Sequence, residues 1–328
     1  MNLSQSNLSG AALRVGLLCN PTSGRNRKRL DAVRRAAAGF PESMYLEAST
    51  SSAMNMALDS FANNRIDLVA IIGGDGTVHA VLNHLFKARP FPSFPLLTII
   101  PAGTTNMTAS DLDMRGNPER ALVLLRQRLQ FPVSSGLLQR PVLRLEHKGA
   151  AACYGMFFGA GMIADGVRLF TPDVQKLAIT SELASGIIIL RHLLKRFLGN
   201  SRDSLTPVQA SVRENGNTAQ QGLYSVVIAS ALERLLLGAR PYWGSEASPI
   251  HVTLIRHPPR RFWRSLPALL SGRGAGLNEA CGYHSRNLQS LELVMNSEFI
   301  IDGEVYQAQS QQGPLQITAE GPVTFVPF

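Results

Sequence analysis

Four short stretches of this chain hold side chains whose types and spacing suit the handling of phosphate. Asn20-Pro21-Thr22-Ser23-Gly24 closes an apolar run and is followed by Arg25, Arg27, Lys28 and Arg29. Gly24 lets backbone approach a ligand, N–H groups there can bind an anion, and the bases add charge. The same residues would also serve an ordinary strand-to-helix turn. Gly73-Gly74-Asp75-Gly76-Thr77 sets a carboxylate among three glycines, again after an apolar run. That string allows a backbone few residues permit, and it opens a helix whose N-terminus attracts anions. Gly103-Thr104-Thr105-Asn106 follows Pro101 with two hydroxyls and an amide, which suit phosphate or ribose and equally suit a helix cap. Asp302-Gly303-Glu304 comes late. Its carboxylate pair could hold a metal ion or take a proton from a hydroxyl, or could simply make a β-turn.

These stretches need elements to position them. Leu13 to Cys19, Ile66 to Ile72 and Leu96 to Ile100 are short buried apolar runs, and each leads through a Gly-containing loop into a helical pattern. Strand, loop, helix, three times over, predicts a parallel sheet flanked by helices. Ligands in such sheets gather at the carboxyl ends of the strands, where all three loops lie. After about residue 134 the pattern changes. PVLRLEH, ACYGMFFGAG, TPVQASVRE, YSVVIAS, PIHVTLIR, SLELVMN and FIIDGEVY read as strands, interrupted by helical stretches near 173–199 and 261–271. The expectation is an α/β fold. The pattern predicts a parallel α/β domain over residues 1–134 and a mostly antiparallel β domain from 135 on.

Composition bounds the class. The chain has 328 residues, 45% apolar and 17% charged, enough for two packed domains. Lys and Arg number 32 against 23 Asp and Glu, a net charge of +9, which favours polyanions. No run of five basic residues occurs, and no nucleic-acid-binding module is recognisable, so nucleic acid is not the expected partner. Cys19, Cys153 and Cys281 form no metal spacing and read as reduced structural thiols. The first residues do not read as a leader peptide, and no apolar stretch reaches the ~18 residues that span a bilayer.

The four stretches in this order resemble the diacylglycerol kinase catalytic family, which includes bacterial soluble lipid kinases, sphingosine kinases and ceramide kinases. The matching pieces are NPTSG (20–24), GGDGT (73–77) with Asn83 beyond it, PAGTTN (101–106), GAGMIADGV (159–167) and DGE (302–304). GGDGT alone is shared with NAD kinases. The resemblance implies a Rossmann-like nucleotide-binding domain over residues 1–134, like that of NAD kinases, with the last strand, about 315–328, packing back near it. It also implies a β-rich, sandwich-like lipid-substrate domain over 135–314 and an active site in the cleft between the two domains, with ATP and Mg²⁺. It implies nucleotide binding by Asn20, Pro21, Ser23, Gly24, Gly73, Gly74, Gly76, Thr77, Gly103, Thr104, Thr105 and Asn106. It makes Asp302 or Asp75 the base for a lipid hydroxyl, with Asp302 favoured, and Asp302 with Glu304 the Mg²⁺ ligands.

Three positions depart from the family pattern: Ala80 where Glu is usual, Met107 where many bacterial members have Asp, and Ser135 where an Asp precedes Gly. The resemblance therefore carries no structural Mg²⁺ site over to this chain. PAGTTNMTASDL and GMIADGV are similar to sphingosine kinase segments, which implies that Asp165 meets a lipid head group. Diacylglycerol stays equally open as substrate. The implied protein is a cytoplasmic kinase that meets its lipid at the membrane surface, through Arg256, Arg260, Arg261, Trp263 and Arg264 with Leu266, Leu269 and Leu270, or through Ile187 to Phe197. A homodimer is also among the expectations. The rivals are an NAD-kinase-like small-molecule kinase and a non-catalytic, lipid-binding relative.

Overall fold

A computed structural model describes residues 13–40, 43–133, 135–168 and 207–328. The chain forms two compact units, Met1–Arg140 with Pro322–Phe328, and Pro141–Gly321.

The first unit runs β1 (Val15–Cys19), α1 (Asn26–Ala37), β2 (Met44–Glu47), α2 (Ser51–Asn63), β3 (Leu68–Gly73), α3 (Asp75–Ala88), β4 (Leu96–Pro101), α4 (Met107–Asp111) and α5 (Pro118–Arg128). Its strands lie parallel in the order β2-β1-β3-β4. Every residue of β1, β3 and β4 is buried, as strands covered on both faces must be. Alternate residues serve opposite faces. Leu17, Leu68, Ala70 and Ile72 share one core with Val33 and Ala37 of α1 and Ala121, Leu122 and Leu125 of α5. Gly16, the neighbour of Leu17, turns the other way, and a Cβ there would lie 2.9 Å from the Phe61 ring of α2. Thr50 caps α2 by accepting from the Ala53 N–H at 3.2 Å. β2, four half-exposed residues reading MYLE, was not among the expected strands; a short edge strand carries almost no pattern.

The second unit holds β5 (Leu138–His147, its first residues in the first unit), β6 (Cys153–Gly155), β7 (Phe157–Gly161), α6 (Met162–Arg168), β8 (Val208–Glu214), β9 (Gln220–Ser230), β10 (Ile250–Arg256), α7 (Phe262–Leu270), β11 (Tyr283–Leu288), β12 (Ser290–Met295), β13 (Ser297–Ile301), β14 (Glu304–Ala308) and β15 (Leu315–Phe325). It is antiparallel, in the order β14-β13-β7-β9-β8-β12-β15, with β10 on β9 and β11 on β10. The last residues of β15 belong to the first unit, where Phe325 pairs with Leu97 of β4 in parallel. Both crossings between units thus fall inside strands, after Arg140 and Gly321, a few residues beyond the expected bounds at 134 and 314. A change of composition marks where a new pattern starts, not where packing changes hands. The helical stretch expected near 173–199 lies outside the described residues.

Candidate active site

In the first unit the carboxyl ends of β1, β3 and β4 lead into three loops that lock together through backbone. The Arg25 N–H donates to the Ala102 carbonyl at 2.8 Å, the Asn20 N–H to Ile72 at 3.0 Å, and the Ala102 N–H to Gly73 at 2.8 Å. Gly74 and Gly103 face each other so closely that a Cβ on Gly74 would lie 2.8 Å from the Gly103 Cα, and one on Gly103 would lie 2.5 Å from the Gly74 Cα. Neither position admits a side chain unless the loops part. Asn106, in the left-handed region at φ 48°, accepts from the Gly103 N–H at 2.7 Å and donates to the Gly103 carbonyl at 2.9 Å, which closes the third loop on itself. Asn20 donates its amide to the Thr77 hydroxyl at 3.0 Å, and Thr77 is buried. Gly24 approaches Thr104, with its notional Cβ 3.3 Å from Oγ1. The Gly74 N-cap provides no capping side chain, so the N-terminal amides and positive dipole end of α3 are free of one, and Gly76 in that first turn is exposed.

Asp75 joins two of these loops. Its carboxylate accepts from the Thr105 hydroxyl at 2.7 Å, the Met107 N–H at 3.0 Å and the Thr108 N–H at 3.1 Å. An acid from α3 thus caps the first turn of α4. Met107 takes part through its amide, so the absence of an acidic side chain there leaves the cap intact. Engaged on both oxygens, Asp75 is built to position the third loop. Asn106, Thr77 and Asp75 therefore hold the edge in shape, while Gly76, Ser23, Thr104 and Thr105 are its partly or fully exposed members.

Two residues that the sequence reading missed serve the same end. Asn26 is fully buried and donates its amide to the carbonyls of Asn20 at 2.7 Å and Ile72 at 3.1 Å. Asp111, at the end of α4, accepts from Arg140 at 2.9 Å in a pair whose acid side chain is 0% exposed. Nothing in the local sequence marks either one, since both act across the fold. Cys19 is buried beneath the loops, and that burial pushes its thiol up to about 11, which suits an inert structural thiol.

In the second unit Asp302 and Gly303 form the two-residue turn between β13 and β14, where Ile301 pairs with Glu304. Both turn residues have positive φ, 51° and 94°, as a primed hairpin turn requires. The sequence admitted a turn or a functional acid, and the structure makes Asp302 an unusual turn residue. It is buried, and its carboxylate accepts from the Met156 N–H at 3.0 Å and the Phe157 N–H at 2.9 Å. Gly155 makes room for it, since a Cβ there would lie 2.6 Å from Oδ2. Two amides fix this carboxylate in place. Glu304 is exposed at the start of β14.

Asp165 lies half-buried in the first turn of α6, a helix packed on β7, β9 and β13. Arg256, Arg260, Arg261 and Arg264 are exposed around the start of α7. Leu269 is buried and belongs to the packing of its own unit, so it is unavailable for insertion into a bilayer, contrary to expectation. The alternative docking stretch, Ile187 to Phe197, lies outside the described residues. Among the described residues, no group of three or more His, Cys, Asp or Glu could hold a metal ion, and no helix is long and apolar enough to cross a membrane.

Residues 14–137, which contain all three interlocked loops, match the family model for the diacylglycerol kinase catalytic domain. Over these residues the chain is similar to that family. The diacylglycerol kinase of Bacillus subtilis (strain 168) is 36% identical over 97 residues, which are 28% of this chain and 31% of that protein. The diacylglycerol kinase of Staphylococcus saprophyticus is 35% identical over 97 residues, covering 28% of this chain and 30% of that one. The matches thus span about a third of the length of these curated relatives. The fold likeness extends further. A crystal structure from Bacillus anthracis str. Sterne, provisionally assigned as a diacylglycerol kinase, is similar over 98% of both chains with a TM-score of 0.66 and 19% identity. Another crystal structure of a diacylglycerol kinase from that strain covers 96% of this chain and 97% of its own, with a TM-score of 0.60 and 18% identity. At such identity the likeness is one of fold, and it extends the diacylglycerol kinase-like architecture through the second unit.

Proposed function

We propose that this protein is an ATP-dependent lipid kinase, transferring the γ-phosphate of ATP to a hydroxyl of diacylglycerol or of a ceramide-like or sphingoid lipid. The observation that carries the reading is the backbone-to-backbone contact of Gly74 with Gly103 beside an α3 N-terminus that no side chain caps. That edge offers amides to a polyphosphate and excludes side chains that would fill the space.

The residues present suit such chemistry. The exposed first turn at Gly76, with Ser23, Thr104 and Thr105, binds and orients the phosphates. Asp302 takes the proton of the lipid hydroxyl as its oxygen bonds to the γ-phosphorus. The bond from phosphorus to the bridging oxygen breaks and ADP leaves. Asp302 and Glu304 are the acids suited to Mg²⁺, which generally binds through one or two carboxylates together with substrate phosphates rather than in an all-protein cage. When bound, Mg²⁺ neutralises charge on those phosphates. Asp165 contacts the lipid head group, and the protein works from the membrane surface.

A regulatory relative without turnover is the second reading, favoured by Ala80. Met107, where many bacterial members have Asp, favours it too, although its amide serves the Asp75 cap. The test incubates purified protein with ATP and Mg²⁺ and with diacylglycerol, ceramide, sphingosine or NAD, and identifies any product by mass spectrometry. A phosphorylated lipid supports the proposal and names the branch. Phosphorylated NAD would replace it with the small-molecule reading. Nucleotide binding with no product from any acceptor would put the regulatory relative in its place.

A further inference from the structure

Helix α5 is apolar on two faces, and among the described residues only one of them has a partner. Ala121, Leu122 and Leu125 are fully buried in the core of the first unit. Arg120, Val123, Leu124 and Gln127 recur at the spacing of the opposite face, and Phe131 continues that stripe one turn beyond the helix. Phe131 is 67% exposed, Val123 38% and Leu124 36%. An ordinary surface helix puts polar residues there, so three large apolar groups in one stripe mark an interaction surface rather than scatter.

The surroundings say what it meets. α5 packs beside α1, and together the two helices hold eight Lys or Arg against two Asp or Glu, a net +6 of the whole chain's +9. Arg27, Lys28, Arg35, Arg120 and Arg126 are exposed. Both acids are committed, Glu119 to Arg29 and Asp31 to Arg34. A second copy docking face to face would set two such cationic surfaces against each other. Nucleic acid would match the charge, but Val123 and Leu124 are aliphatic and cannot stack on bases. A surface with negative head groups outside and hydrocarbon beneath satisfies both features at once.

We propose that the outer face of α5, with the cations of α1, docks on anionic membrane, Val123, Leu124 and Phe131 entering the acyl boundary. This deepens the lipid-kinase reading and rests on it for its purpose, but its test does not depend on turnover. The full chain is mixed with vesicles of phosphatidylcholine alone or with phosphatidylglycerol, and bound protein is measured by flotation at two salt concentrations. The wild type should bind the anionic vesicles at least tenfold better than neutral ones, and less well at high salt. The triple variant V123S/L124S/F131S, confirmed folded by its thermal melt, should lose at least tenfold of that binding. R120E/K28E should lose a comparable part, and R260E/R264E around the start of α7 should bind as the wild type does. The triple variant should also keep the wild-type rate on a monomerically soluble short-chain acceptor. Unchanged vesicle binding by the triple variant, a loss confined to R260E/R264E, or a dimer that the triple variant dissolves would each overturn the proposal. Vesicle binding with no phosphorylation of any lipid would leave the docking face standing and remove the kinase reading.

Discussion

The loop edge of the first unit and the Asp302 turn of the second hold the groups proposed for function by opposite means. In the first, three loops are tied by four or more backbone and side-chain bonds, and two glycines touch backbone to backbone. In the second, one carboxylate rests on two amides within a two-residue turn. A site for a polyphosphate needs a shaped array of donors, which many weak ties can keep in register. A site for one proton needs a single oxygen in one place, which two strong hydrogen bonds secure. The first should therefore yield gradually to substitution, and the second should fail at one residue.

Replacing Asp302 with Asn should show the largest effect. Turnover should fall by about a thousandfold, within the range expected for loss of a positioned base, while nucleotide affinity stays within about threefold. Calorimetric titration beside steady-state kinetics separates the two. Gly103→Ala should act on the other region, since its methyl must push Gly74 away. We expect stability to drop by about 1–3 kcal/mol with nucleotide affinity falling alongside, read from a denaturant melt and the same titration. Asp75→Asn should cost less, about 1–2 kcal/mol, because an amide oxygen still accepts part of the α4 cap. Its turnover should stay well above that of Asp302→Asn. A turnover loss as deep as that of Asp302→Asn would make Asp75 the base and reverse the comparison.

The smallest effect tests a bridge elsewhere in the second unit. His284 bridges Glu214 and Glu279 at 2.7 Å each, and the hydrogen bond to Glu214, then its charge and that of Glu279, raise its pKa above 6.5 against the opposing effect of burial. A raised folded value means this stabilisation is fully present below about pH 6.5 and fades as pH rises through the folded value. Glu279, lowered chiefly by His284, contributes in the opposite sense, losing its share as pH falls through its own folded value. The melting temperature should therefore decline from pH 6.5 toward alkaline pH in the wild type and decline less in His284→Gln. Equal slopes in the two proteins would show the bridge to be inert.

How much could be read from residues alone differs between the regions in the same way. GGDGT, NPTSG and GTTN sit on buried apolar strands, and period, turn residues and loop position all pointed to one parallel edge. Asp302 could be singled out, but not its partners. The Met156 and Phe157 amides lie about 145 positions away, and backbone groups leave no mark in a sequence. Asp75 stood out in the sequence but its hydrogen-bond partners did not, because the Met107 and Thr108 amides belong to another loop. The α5 stripe was visible as a helical period, but a period does not tell which of two apolar faces is left outside.

The most direct measurement is the initial rate of ³²P transfer from ATP to micellar diacylglycerol and ceramide, with wild type and Asp302→Asn side by side. The account predicts labelled lipid from the wild type and about a thousandfold less from the variant at equal nucleotide occupancy. Equal rates from both proteins, or label appearing only as free phosphate, would contradict it.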